Sequence, residues 1–183
     1  MERNSPESTV EGLFADLRNV HSANEYVKYM DDFIASRFTD DYFNVTLPKD
    51  LATSSTTSPA WFGYIAAINV LGTPMLFSTA TAKQYMMPGA SGTKNAIDRH
   101  HIFPKHYLET INFKDDRDRN QVANYTYIDY PTNIDISDRP PSDYVKDYKA
   151  KLGKDGYERT CAENALPADF EVMEYPRFLA EMN

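Results

Sequence analysis

The stretches IDRHHIFP (Ile97–Pro104) and ANYTYIDYPTN (Ala123–Asn133) break the pattern of everything before them. Tyr125 to Tyr130 is rich in strand-favouring residues, and IDRHHIF serves as its partner strand, so the two predict a hairpin. The long polar connection between them carries the charge cluster KDDRDR (Lys114–Arg119), which reads as a solvated loop because acids and bases interleave. Alternating Tyr125, Tyr127 and Tyr130 predict packed core rather than a base-stacking surface.

Outward from this hairpin the periodicity is helical. Upstream, Val10, Leu13, Phe14 and Leu17 recur at helical spacing after Ser8 and Thr9 as caps. Tyr26, Tyr29, Met30, Phe33 and Ile34 make a second stripe, with Asn24 or Ser22 as N-cap and Thr39-Asp40-Asp41 as the stop. The Ser/Thr-rich stretch 50–58 reads as a loop. After it, Pro59 opens the run WFGYIAAINVL, apolar all round and ended by Gly72 and Pro74, which predicts a buried central helix. A shorter helix is expected over Thr79–Met87, before a Pro88-Gly89 turn.

Downstream, Asp143 to Leu152 reads as a helix started by Ser142. The tail Pro167–Met182 predicts a last helix, with Phe170, Met173 and Phe178 or Leu179 inward and Pro176 kinking it. The expected architecture is α+β: a helical region over residues 1–93, packed on a hairpin-and-helix module over residues 94–183 closed by C-terminal helices.

Composition narrows the function classes. The chain has 183 residues, 42% of them hydrophobic, with 13 Tyr and 10 Phe, more apolar matter than a disordered acidic chain carries. A single cysteine, Cys161, excludes an internal disulfide framework and any Cys-rich zinc ribbon. The N-terminus lacks the basic-then-apolar pattern of a signal peptide, and the apolar run Trp61–Leu71 is too short to span a bilayer, so no membrane role and a cytoplasmic address are expected.

The net charge of −8 argues against strong nucleic-acid binding, which needs Lys and Arg on phosphates. Its distribution softens that argument. Residues 94–154 hold 11 basic and 10 acidic side chains, whereas residues 155–183 hold 2 and 7. The least acidic segment also contains three of the four histidines, His100, His101 and His106; His21 stands apart. An imidazole is neutral near physiological pH, so one ring can ligate a metal while another accepts a proton from water. Phosphodiester hydrolysis requires those two functions.

HHIFP, followed by Asn124 and nine positions later by Asn133, resembles the pattern of HNH (ββα-metal) nucleases. More narrowly, HHIFPKHYL with VANYTYIDYPTNIDISDRPPSDYV is similar to the C-terminal nuclease domain of GmrSD-type restriction enzymes, which cleave modified phage DNA. The resemblance extends to SPAWFGYIAAINVLG and to ALPADFEVMEYPRFLAEMN, and so spans residues 58–183.

It implies a DNA endonuclease of restriction or anti-phage defence with His101 as general base. His100 stands at a metal-binding position, Asn133 at the last ligand position on a short helix after the second strand, and Asn124 supports the loop that carries the histidines. One divalent metal ion is implied. Most HNH enzymes have Asp where His100 stands, so Mg²⁺ would be held less well and Mn²⁺, Ni²⁺ or Zn²⁺ tolerated. Asp98, on the strand face of His100, would add a carboxylate. Lys105, Arg119 and Arg139 are candidate phosphate contacts.

Enzymes of this type also contain a nucleotide-hydrolysing domain, and no Gly-rich phosphate loop occurs in this chain, so such a domain or subunit is expected as a partner. Two competing readings remain: a catalytically inactive or partner-dependent module binding DNA or protein, and a small helical interaction domain with incidental histidines. Complete metal and base positions favour the nuclease.

Overall fold

The computed structural model describes residues 5–86 and 97–183. The first helices are α1 (Pro6–Leu17), α2 (Ala23–Arg37), α3 (Leu47–Leu51), α4 (Pro59–Leu71) and α5 (Ala82–Met86). Strand β1 (Ile97–His101) follows, then short helices α6 (Lys105–Thr110) and α7 (Asp116–Arg119), and strand β2 (Tyr125–Asp129). Helices α8 (Tyr130–Ile136), α9 (Pro141–Glu163) and α10 (Tyr175–Met182) complete the chain. The architecture is mixed and mostly helical, with one two-stranded antiparallel sheet among the described residues. None of the described helices is long and apolar enough to cross a membrane. The Pro88-Gly89 turn lies outside the described residues.

Two compact units divide the chain, Met1–Thr46 and Leu47–Asn183. In the first, α1 is capped by Ser5, whose Oγ accepts the Ser8 N–H at 3.2 Å, rather than by Ser8 and Thr9 as expected. Ser22 caps α2 through the Glu25 N–H, while the Glu25 carboxylate accepts the His21 N–H at 2.9 Å. Tyr29 donates to Asp16 across the two helices. No residue of α2 is buried.

The second unit starts well before residue 94, because α4 packs on the hairpin. Trp61 lies 5.6 Å from the Tyr125 ring and 6.2 Å from the Tyr127 ring. The opposite sheet face holds Ile128, which joins Ile102, Phe103, Leu108, Ile136, Tyr144, Tyr148, Phe170 and Phe178 in the main core. Phe77 stacks on Tyr148 at 4.1 Å, and the Tyr144 hydroxyl, fully buried, donates to the Ile102 carbonyl at 2.7 Å, as a buried phenol must. The Leu76 N–H bonds the Tyr127 carbonyl and so covers one edge of β2.

Four expectations need correction. α4 is not buried: only Trp61 and Ile68 are, while Phe62 (58%), Val70 (83%) and Leu71 (78%) are exposed, because one sheet face covers only one side of a helix apolar all round. Lys114–Arg119 is not simply a solvated loop, since α7 forms within it under an Asp115 cap. Pro176 starts α10 instead of kinking it, as its missing N–H costs nothing in a first turn. Helix α9 begins at Pro141 and continues to Glu163, with Gly153 non-helical inside it.

Gly153 sits at φ 68°, ψ 172°, a region open essentially to glycine alone. Gly153→Ala is therefore expected to destabilise the protein by ~1–3 kcal/mol, measured by urea unfolding. An unchanged midpoint would mean the two halves of α9 do not depend on that backbone conformation.

Candidate active site

Strand register decides which side chains meet. Asp98 pairs with Ile128, His100 with Thr126 and His101 with Tyr125, so Asp98 and His100 share one face of β1 while Arg99 and His101 share the other. Asp129 ends β2 and caps α8, accepting the Thr132 N–H at 2.9 Å, with Pro131 in the first turn. That tight strand-to-helix transition sets Asn133 against the first face.

His100 Nδ1 lies 2.9 Å from Asn133 Oδ1, and Asn133 Nδ2 donates to Asp98 Oδ2 at 3.2 Å. The carboxylate can only accept, so it fixes the amide with its oxygen toward His100. His100 is 6% exposed, and its Nε2 is buried with no hydrogen-bond partner. Burial, partly opposed by the Asn133 bond and aided by nearby His101, pushes the His100 imidazole down to about 4. The ring is thus neutral at pH 7, as a metal ligand must be.

Among the described residues no three His, Cys, Asp or Glu side chains converge on one point. The two ligand-type atoms that do meet are His100 Nδ1 and Asn133 Oδ1, while the Asp98 carboxylate reaches only the nitrogen of the same amide. Two adjacent ligands each ~2.1 Å from one ion sit ~3 Å apart, which agrees with the 2.9 Å between Nδ1 and Oδ1. A mixed nitrogen and oxygen set suits Mn²⁺, Ni²⁺ or Zn²⁺ better than Mg²⁺. Holding a divalent ion there requires the His100 proton to pass from Nδ1, where it meets Asn133 Oδ1, to the unpartnered Nε2.

His101 Nε2 lies 3.0 Å from Asn120 Oδ1, so Nε2 carries the proton and Nδ1 is left as the basic atom. The Tyr125 ring flanks the imidazole at 4.6 Å. Burial, then Lys105, Arg99 and Arg119, lower its pKa against the Asn120 bond, which keeps the base unprotonated near neutrality. Both histidines border an open cleft of ≈ 190 Å³ with Arg99, Pro104, Lys105, Asn133, Ser137 and Asp138. A larger cavity of ≈ 600 Å³ between Tyr157, Cys161 and Pro167 holds none of these groups; a polymer chain is better met by the open cleft.

Asn124 is fully buried and does not reach the cleft. Its Oδ1 accepts the Phe103 N–H at 2.8 Å, and its Nδ2 donates to the carbonyls of Phe103 and Arg119 at 3.1 and 3.2 Å. It ties the segment after His101 to the one before β2.

The expected phosphate contacts fare unequally. Lys105 lines the cleft and pairs with Asp116 at 2.7 Å. Arg119 is corrected: its side chain is 7% exposed and held between Glu109 and Asp116, which compensate its charge inside the fold. Arg139 is engaged by Asp147 at 2.6 Å and by the Asp135 carbonyl. His106 is exposed beside Glu109, and Tyr130 is exposed, against the expectation that it packs.

Sequence reasoning missed Asn120 and Arg99. Asn120 closes the charged run and has no signature besides its place four residues before Asn124. Arg99 was legible only as one more cation. Comparison with family models, curated proteins and solved structures returned no match.

A pH prediction follows from His100. Its pKa is 6.5 unfolded and about 4 folded, so the neutral ring's contribution is complete above pH 6.5 and disappears as pH falls toward 4. Integrated, this amounts to about 3 kcal/mol. Urea unfolding in EDTA is expected to show that loss, with a shallower fall in His100→Gln. Equal slopes in the two proteins would contradict it.

Proposed function

We propose that this chain is a metal-dependent endonuclease of the HNH type, hydrolysing phosphodiester bonds of DNA in restriction of phage. The observation that carries the reading is the hairpin and following helix, on which the His100–Asn133 pair and neutral His101 open onto one cleft. His101 Nδ1 accepts the proton of the attacking water, with Asn120 holding the ring's tautomer and Tyr125 its plane. His100, Asn133 and Asp98 hold one divalent ion, Mn²⁺ or Mg²⁺, with Ni²⁺ or Zn²⁺ accepted. When bound, the ion neutralises charge on the scissile phosphate and on the leaving 3′ oxygen.

The ties of Arg119 and Arg139 to carboxylates leave few cations for DNA, which favours a partner supplying recognition. A nucleotide-hydrolysing domain or subunit in the same cytoplasm fits that role. The test is supercoiled plasmid incubated with the purified chain and Mg²⁺, Mn²⁺, Ni²⁺, Zn²⁺ or EDTA. Nicked circles with metal and none with EDTA are expected. Intact plasmid under every metal, on modified and unmodified DNA, would assign the fold to a module without turnover.

A further inference from the structure

Arg99 stands out among the charged groups near the cleft. Its guanidinium carbon lies 4.6 Å from the centre of the Tyr125 ring and 5.5 Å from that of Trp61, both buried. Lys105, Arg119 and Arg139 each have a carboxylate partner. Among the described residues, Arg99 has neither an ion pair nor a side-chain hydrogen bond, and it is exposed.

Trp61 comes from α4 and Tyr125 from β2, so two elements build this shelf. A guanidinium held over aromatic faces keeps its charge and its fork of N–H donors and loses less freedom when it meets an oxyanion. His101, on the same face of β1 as Arg99, packs on the same Tyr125 ring, with its own ring also 4.6 Å away. Arg99 and His101 therefore share one aromatic support and one cleft.

We infer that Arg99, shelved on Trp61 and Tyr125 beside His101, is a phosphate-binding residue that grips a phosphodiester of the DNA strand in the cleft. This rests on the nuclease reading and names the contact that sets the strand against the base. The shelf supplies orientation, the guanidinium supplies paired N–H donors to two phosphate oxygens, and no base edge is read, so the contact is independent of sequence. Trp61 thereby gains a use beyond packing, since it helps hold the cation in place.

The test is fluorescence anisotropy of a labelled DNA duplex with the full chain in EDTA over a salt series, alongside plasmid nicking in Mn²⁺. Arg99→Met keeps an apolar stem on the rings and removes the charge, and Arg99→Lys restores charge without the planar fork. Arg99→Met is expected to bind about tenfold more weakly, and its log K against log salt slope is expected to fall by about one. Arg99→Lys should regain most of the slope and only part of the affinity. Met and wild-type proteins with the same affinity and slope, in a chain that still nicks, would overturn the assignment of Arg99 alone. Failure of the wild-type chain both to bind and to nick would overturn the nuclease reading together with this one.

Discussion

His101→Ala is expected to slow metal-dependent nicking about 10²- to 10⁴-fold, the usual range for loss of a general base. The other imidazole at the cleft does not replace it. Neighbouring His100 faces Asn133 and Asp98 across the strand, and its Nε2 is buried, so it has no free basic atom at the cleft floor. The Asn120 bond at 3.0 Å fixes which His101 nitrogen is protonated, and burial, aided by Lys105 and Arg99, lowers the ring's pKa. Metal binding should survive, because the ligands are on the other face. A His101→Ala protein that nicks at the wild-type rate would remove His101 from the chemistry, and one that no longer binds Mn²⁺ would place it among the ligands.

The second large effect falls on stability. Asn124→Ala orphans the Phe103 N–H and carbonyl and leaves the Arg119 carbonyl only a longer bond from the Tyr175 hydroxyl, in a place with no exposure to water. Each buried group left unpaired costs roughly 1–3 kcal/mol, so a loss of about 3–5 kcal/mol is expected. Asn124→Asp should not rescue it: the carboxylate still accepts from Phe103 but sets a buried acceptor against two carbonyls. Urea unfolding measures both. Nicking should fall with them, since Phe103 follows the histidine pair directly and the segment carries Lys105. A variant as stable as wild type would mean that the loop is held by its apolar side chains, Ile102 and Phe103, alone.

How far the residues could be read follows the range of the forces involved. The hairpin and α8 are specified locally: alternating Tyr125, Thr126, Tyr127 and Ile128 suit a half-buried strand, and Asp129 with Pro131 starts a helix within three residues. That was enough to bring His100, Asn133 and Asp98 together, as period-two spacing on β1 implies. What escaped depends on partners distant in sequence. Arg119 reads as a surface cation until Glu109, ten residues back, is seen to hold it inside. The exposure of Phe62, Val70 and Leu71 cannot be inferred from a helix apolar on every side, because hydrophobicity does not say how much surface a neighbour can cover. The helix read over Asp143–Leu152 does not end there: at Gly153 the chain takes a single positive-φ step and resumes helix.

The proposed catalytic unit is one divalent ion seated on His100 and Asn133, working beside His101. Mn²⁺ binding and plasmid cutting should be measured on the same samples of wild type and His100→Ala. One Mn²⁺ per wild-type chain, nicking that rises with its occupancy, and neither in the variant are expected. Cutting that persists in EDTA, or that His100→Ala leaves undiminished, would contradict it.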